Sequence, residues 1–180
     1  MISLRKINGI LIIIVALMLA YHALMNTLLF FGLVSYSPVF KVSGRRLFYP
    51  LILHIIISAY LYIKERLRRS KNYPKLTKDT TQQLVSGICI IIFAIAHILN
   101  YSLGDALDSS QFIYHIIGDN LLFISIAVHL QISIPKLLVS FGFLEGKDDY
   151  ENVKNNITVV LFIVLIIIFL AQATFYGGFL

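Results

Sequence analysis

Apolar residues fall into five long runs, Ile10–Val34, Leu47–Ile63, Leu84–Leu103, Phe112–Ile134 and Ile157–Tyr176, parted by short polar stretches. A helix rises about 1.5 Å per residue, so about 20 apolar residues cross the hydrocarbon core of a bilayer. In lipid the backbone has only itself to bond to, which makes such runs helices. The ten-residue alternation of a membrane barrel does not occur. The pattern therefore predicts an all-α integral membrane bundle of five transmembrane helices, over about 8–34, 46–66, 82–103, 111–136 and 155–176. So little chain lies outside the runs that residues 1–180 read as one transmembrane domain. The first run, 25 residues without a small-residue cleavage site, reads as a retained helix and not a removed leader.

Composition agrees: 58% of residues are hydrophobic and 13% charged, where soluble domains carry about 25% charged. The formal charge of +6 does not point to nucleic acid, because the basic residues gather at helix ends. With five crossings, the N-terminus and the second and fourth connections share one side. That side holds twelve Lys and Arg: Arg5 and Lys6, seven between Lys64 and Lys78, and Lys136, Lys147 and Lys154. The other holds three, Lys41, Arg45 and Arg46. The positive-inside rule then predicts a cytoplasmic N-terminus and an external C-terminus; the expected location is the cytoplasmic membrane of a prokaryote. The polar stretch 64–79, with Pro74, reads as a loop whose charges suit anionic lipid or a cytoplasmic partner. Cys89 is the single cysteine, so neither an intrachain disulfide nor a CxxCH haem attachment exists.

All five histidines lie within the predicted helices, where ionisable groups are costly and mark function. His22, His54, His97 and His129 fall one each on the first four. His22 lies 16 residues beyond Lys6 and His97 18 beyond Asp79, about 24 and 27 Å along their helices. His54 lies 10 before Lys64 and His129 7 before Lys136, about 15 and 10 Å. The four form an outer layer, His22 and His97, and an inner layer, His54 and His129, about 12 Å apart. Two imidazoles at one depth suit a non-covalent bis-histidine b-type haem. Imidazole also binds zinc or copper, although two histidines without thiolate or carboxylate make a poor structural zinc site. A shift of 75 residues maps His22 onto His97 and His54 onto His129.

Softer signals surround these. Ser86 lies 11 residues before His97, so it shares that face at the inner depth, and with Gly87 it would leave room for an inner haem or serve ordinary helix packing. Arg45, Arg46, Lys64 and Arg68 suit haem propionates or interface anchoring equally. Tyr114, His115 and Asp119, beyond Asp105 and Asp108, form a candidate quinone site, or else an interfacial helix start.

The pattern resembles the cytochrome b membrane-anchor subunit of succinate dehydrogenases and fumarate reductases, the single-chain class with five helices and two haems. In that family one segment reads Q-R-x-[ST]-G with His ten residues on. Here Gln83-Leu84-Val85-Ser86-Gly87 precedes His97 at that interval, with Leu84 where the family carries Arg. The segments around His54 and His129 are also similar to the family's ligand helices. The resemblance implies two haem b groups, held by His22 with His97 and by His54 with His129. It implies a cytoplasmic iron–sulfur subunit and an FAD flavoprotein as partners, and a quinone, of the menaquinone type, as substrate. The chain has no flavin, dinucleotide or iron–sulfur motif, so it would be a non-catalytic subunit of a quinone-linked oxidoreductase. Two alternatives stand beside this reading. One is the cytochrome b subunit of another complex, such as heterodisulfide reductase. The other is a haem-free transporter or channel with a histidine proton relay.

Overall fold

The computed structural model describes the backbone over residues 4–68, 74–103 and 109–177, and side chains over 4–64, 67, 79–101 and 114–177. It contains five helices: α1 (Leu4–Phe30), α2 (Pro38–Arg68), α3 (Pro74–Leu103), α4 (Ser109–Phe141) and α5 (Lys147–Gly177). There is no strand among the described residues. Each helix contains a stretch long and apolar enough to cross a membrane.

The helices number as the apolar runs do, but their ends differ, because ends are set by capping chemistry and not by hydropathy. α1 stops at Phe30, four residues short of the predicted Val34. Gly32 adopts φ 71°, and Leu33 N–H bonds to the Leu28 carbonyl (2.9 Å) while Gly32 N–H bonds to that of Leu29 (2.9 Å). This is the Schellman cap, which favours a residue without Cβ at the left-handed position. Gly142 ends α4 in the same way at φ 80°. α2 begins eight residues before the predicted 46: Pro38 suits a first turn, and Ser37 Oγ accepts from Val39 N–H at 3.4 Å.

The stretch 64–79 is not the loop the sequence predicts. α2 runs on to Arg68 and α3 starts at Pro74, so helix occupies most of it. Its Lys, Arg, Glu and Leu residues are good helix formers whatever their polarity. Pro50 and Pro135 lie inside α2 and α4, each leaving the carbonyl one turn earlier without its helical donor.

The chain divides into two units, residues 1–72 and 73–180. In the first, α1 packs on α2; in the second, α4 packs on α3 and on α5. The second holds most of the interior, with Ile132 and Pro135 wholly enclosed and Ile168 and Ala171 of α5 buried. Large apolar side chains otherwise stand on the outside of every helix, Leu17, Ile56, Ile92 and Phe162 among them.

Candidate functional site

In the first unit, Asn8 and His22 of α1 are nearly four turns apart and share the face turned to α2. Ser43 and His54 of α2 are three turns apart and look back. His22 Nδ1 meets Ser43 Oγ at 3.2 Å. That hydroxyl spends its proton on the Phe40 carbonyl (2.7 Å), so it accepts and Nδ1–H donates. His22 packs against Gly44, whose missing side chain makes the space: a Cβ there would stand 2.9 Å from His22 Cε1. Farther along, His54 Nδ1 bonds to Asn8 Oδ1 (3.1 Å), and Ser58 ties the pair by accepting from Asn8 Nδ2 at 3.1 Å.

The second unit repeats this chemistry. His129 of α4 sits on Ser86 and Gly87 of α3: its Nδ1 lies 3.2 Å from Ser86 Oγ and 3.2 Å from the Gln83 carbonyl. A carbonyl only accepts, so Nδ1–H is again the donor, while Ser86 gives its own proton to the same carbonyl at 3.1 Å. A Cβ at Gly87 would sit 3.5 Å from His129 Cε1, an ordinary contact. Gln83 also donates to Ser133 Oγ (2.9 Å) and accepts from Lys136 Nζ (2.9 Å), which pins α3 to α4. On the next level His97 Nδ1 donates to Asp119 Oδ1 at 2.8 Å. Tyr101 donates to Asp119 Oδ2 at 3.1 Å.

All four histidines therefore share one state. In each, Nδ1 faces an acceptor and is held there by a hydrogen bond. Metal-bound imidazoles are held in this way, with the second nitrogen donating to a fixed acceptor. Each unit also carries its two histidines on two levels. His22 is level with Ser43 and His129 with Ser86, while His54 and His97 each lie eleven residues farther along α2 and α3, about 16 Å. The sequence count gave about 12 Å because it measured from charges that the helices run past. No group of three or more His, Cys, Asp or Glu side chains among the described residues could hold a metal ion.

The three quinone candidates separate. His115 (6% exposed) and Asp119 (3%) are buried and both touch Tyr101, which lies 4.8 Å from the His115 ring between centroids. Tyr114 is 70% exposed and turns away, since adjacent helical residues point about 100° apart. Tyr176 of α5 is hydrogen-bonded to Tyr101. One turn back on α5, Gln172 is buried with neither amide atom bonded, and Asn120 Oδ1 and His115 Nδ1 also have no hydrogen-bond partner among the described residues. Of the propionate candidates, Arg45 and Arg46 are exposed on the first turns of α2, and Lys64 stands over the Tyr60 ring at 5.6 Å. The side chain of Arg68, like Asp105 and Asp108, lies outside the described residues.

Sequence reasoning singled out the histidines, Ser86 and Gly87, but not Asn8, Ser43, Gly44, Tyr101 or Gln172. One signal for Ser43 and Gly44 was present. Val42-Ser43-Gly44 repeats as Val85-Ser86-Gly87, and each is followed by His ten residues after the Gly, His54 and His97. The partner of each histidine comes from another helix, which no local pattern reveals. Compared with known proteins, the chain matches no family model, no curated protein and no solved structure.

Proposed function

We propose that this chain is a multi-pass membrane protein, N-terminus in the cytoplasm, that holds two b-type haems on His22, His54, His97 and His129. It would carry electrons between a cytoplasmic flavoprotein/iron–sulfur module, of the succinate dehydrogenase or fumarate reductase kind, and membrane quinone. The observation that carries the reading is the common state of the four imidazoles. One stands on each of four apolar helices, and each is held at Nδ1 by a hydrogen bond. Bare apolar faces on all five helices support insertion in lipid, because soluble proteins rarely expose apolar surface on that scale. The excess of basic residues on one side supports the orientation.

Bound haem would supply the one-electron iron couple. The chain's residues do the rest. Ser43, Asn8, Ser86 and Asp119 orient the rings, and Gly44 and Gly87 let two of them lie against a helix backbone. The apolar surroundings exclude water. We place the quinone at the His115–Tyr101–Asp119 cluster, where Gln172 Nε2 is a buried, unbonded donor for a ring carbonyl.

The quinone half of the reading is tested by mixing the haem-loaded protein with a short-chain naphthoquinol. The α-bands are expected to reduce within the mixing experiment, and Gln172→Leu to slow that reduction about tenfold, one lost buried hydrogen bond to substrate being about 1.4 kcal/mol. Haems that dithionite reduces but quinol does not would overturn it.

A further inference from the structure

With the apolar runs in a bilayer, the ends of α3, α4 and α5 near the α4–α5 connection overhang it. Two hydrogen bonds set these helices at common levels. Gln131 of α4 donates to Thr158 of α5 (2.7 Å), and Gln83 of α3 donates to Ser133 of α4 (2.9 Å). The apolar run of α5, Ile157–Tyr176, is 20 residues, or about 30 Å, the whole thickness of a hydrocarbon core. Residues 147–156 of α5 carry eight charged or amide side chains and reach about 15 Å past that core, through a headgroup layer about 5–8 Å deep. The start of α3 is braced against them: Asp79 accepts from Lys154 Nζ and from the Tyr150 hydroxyl, both at 3.4 Å. α4 keeps level with α5 and ends at Phe141, ten residues, or about 15 Å, beyond Gln131. Its tip is nonetheless aromatic. Phe143 is 73% exposed, and its ring centroid lies 6.4 Å from that of Phe141, itself 38% exposed. The Phe143 N–H bonds to the Leu138 carbonyl at 3.0 Å, so the Gly142 cap fixes where the ring stands.

We propose that the Phe141–Phe143 tip, with the acidic rim beside it, is the docking surface for a soluble cytoplasmic protein that offers an apolar pocket edged by Lys or Arg. The inference rests on the membrane orientation given above and not on the haems. Lipid covers the apolar flanks of the helices but does not reach this level, and apolar groups exposed to water mark contacts with other molecules. The charge around the tip selects the partner. Glu145, Asp148 and Asp149 are exposed, and residues 145–151 hold four of the chain's nine Asp and Glu against one base, Lys147, in a chain of net charge +6. Anionic lipid would be repelled, and a second copy docked tip to tip would set acid against acid. Asp148 and Asp149 also suit the positive end of α5, whereas Glu145 precedes the helix. A ring already fixed by a helix cap loses little freedom on burial, and an aromatic seated in a pocket is the usual centre of a protein interface.

The test begins with a photoreactive phenylalanine analogue at position 143 of the full-length chain, illuminated in its own cells. It is expected to join the chain to one soluble protein, and the same analogue at Phe162, exposed on the apolar run of α5, is not. That protein, once purified, is expected to bind the full-length chain in nanodiscs of phosphatidylglycerol and phosphatidylethanolamine, less tightly as salt rises. It should bind Phe143→Ala about thirtyfold more weakly, and Glu145→Lys more weakly than wild type. Both side chains are exposed, so neither variant disturbs the helix interior. Adducts with lipid alone, with a second copy of the chain or with nothing overturn the inference, as does equal binding by the variants. Orientation is read separately: Phe143→Cys should react with a membrane-impermeant maleimide only after the cells are opened. Reaction in intact cells overturns the orientation, while protection in intact cells without a soluble adduct overturns the docking surface alone.

Discussion

His54→Ala and His129→Ala are each expected to remove one haem, the same one, and to leave the other with its spectrum intact; His22→Ala and His97→Ala are expected to remove the other. Within each unit the two histidines lie about 16 Å apart along the helices. Metal–imidazole bonds are about 2 Å long. His22 and His54 therefore cannot share an iron, and neither can His97 and His129. The depth count pairs His22 with His97 and His54 with His129. The four variants should then fall into two classes by spectrum and by haem per chain, each at about half the wild-type content. Retention of both haems in any of the four, or a class that joins His22 with His129, would contradict the pairing.

Gly44→Ala is expected to weaken the haem that His22 ligates, and Gly87→Ala to leave both haems in place. The two glycines look alike in sequence, each following Ser and Val, but the space above them differs. A Cβ at 44 would stand 2.9 Å from the His22 ring, closer than real Cβ contacts come, so the ring must shift, which strains its hydrogen bond to Ser43. At 87 the corresponding distance to His129 is 3.5 Å, an ordinary van der Waals contact. One lost hydrogen bond is about 1 kcal/mol, or about a fivefold weaker hold on the haem. Titration of haem into protein expressed without it would read this directly. Equal binding by Gly44→Ala and wild type, or a larger loss in Gly87→Ala, would contradict the geometry.

The existence and number of the helices were legible because an apolar run of membrane length admits little else. Their ends were not. Leu33 and Val34 continue the apolar run past the point where Gly32 turns the backbone, and Pro38 starts α2 well ahead of the next run. Polar residues between 64 and 79 concealed helix because hydropathy measures burial and not helix propensity. That the two histidines of each unit lie at different levels was legible, because position along a helix fixes height along its axis. Their partners could not: Asn8 lies 46 residues from His54, and Ser86 lies 43 from His129. Tyr114 was placed with His115 by adjacency, and one residue of helical rotation separates a buried side chain from an exposed one.

The central claim, that the four histidines hold two haems, is tested most directly by a reduced-minus-oxidised absorption spectrum of the full chain purified in detergent, with haem and protein quantified. Two b-type haems per chain, with the low-spin bands of bis-histidine ligation, are the predicted result. A colourless protein from cells supplied with haem and expressing the partner subunits would contradict it and turn attention to the histidines as a proton relay.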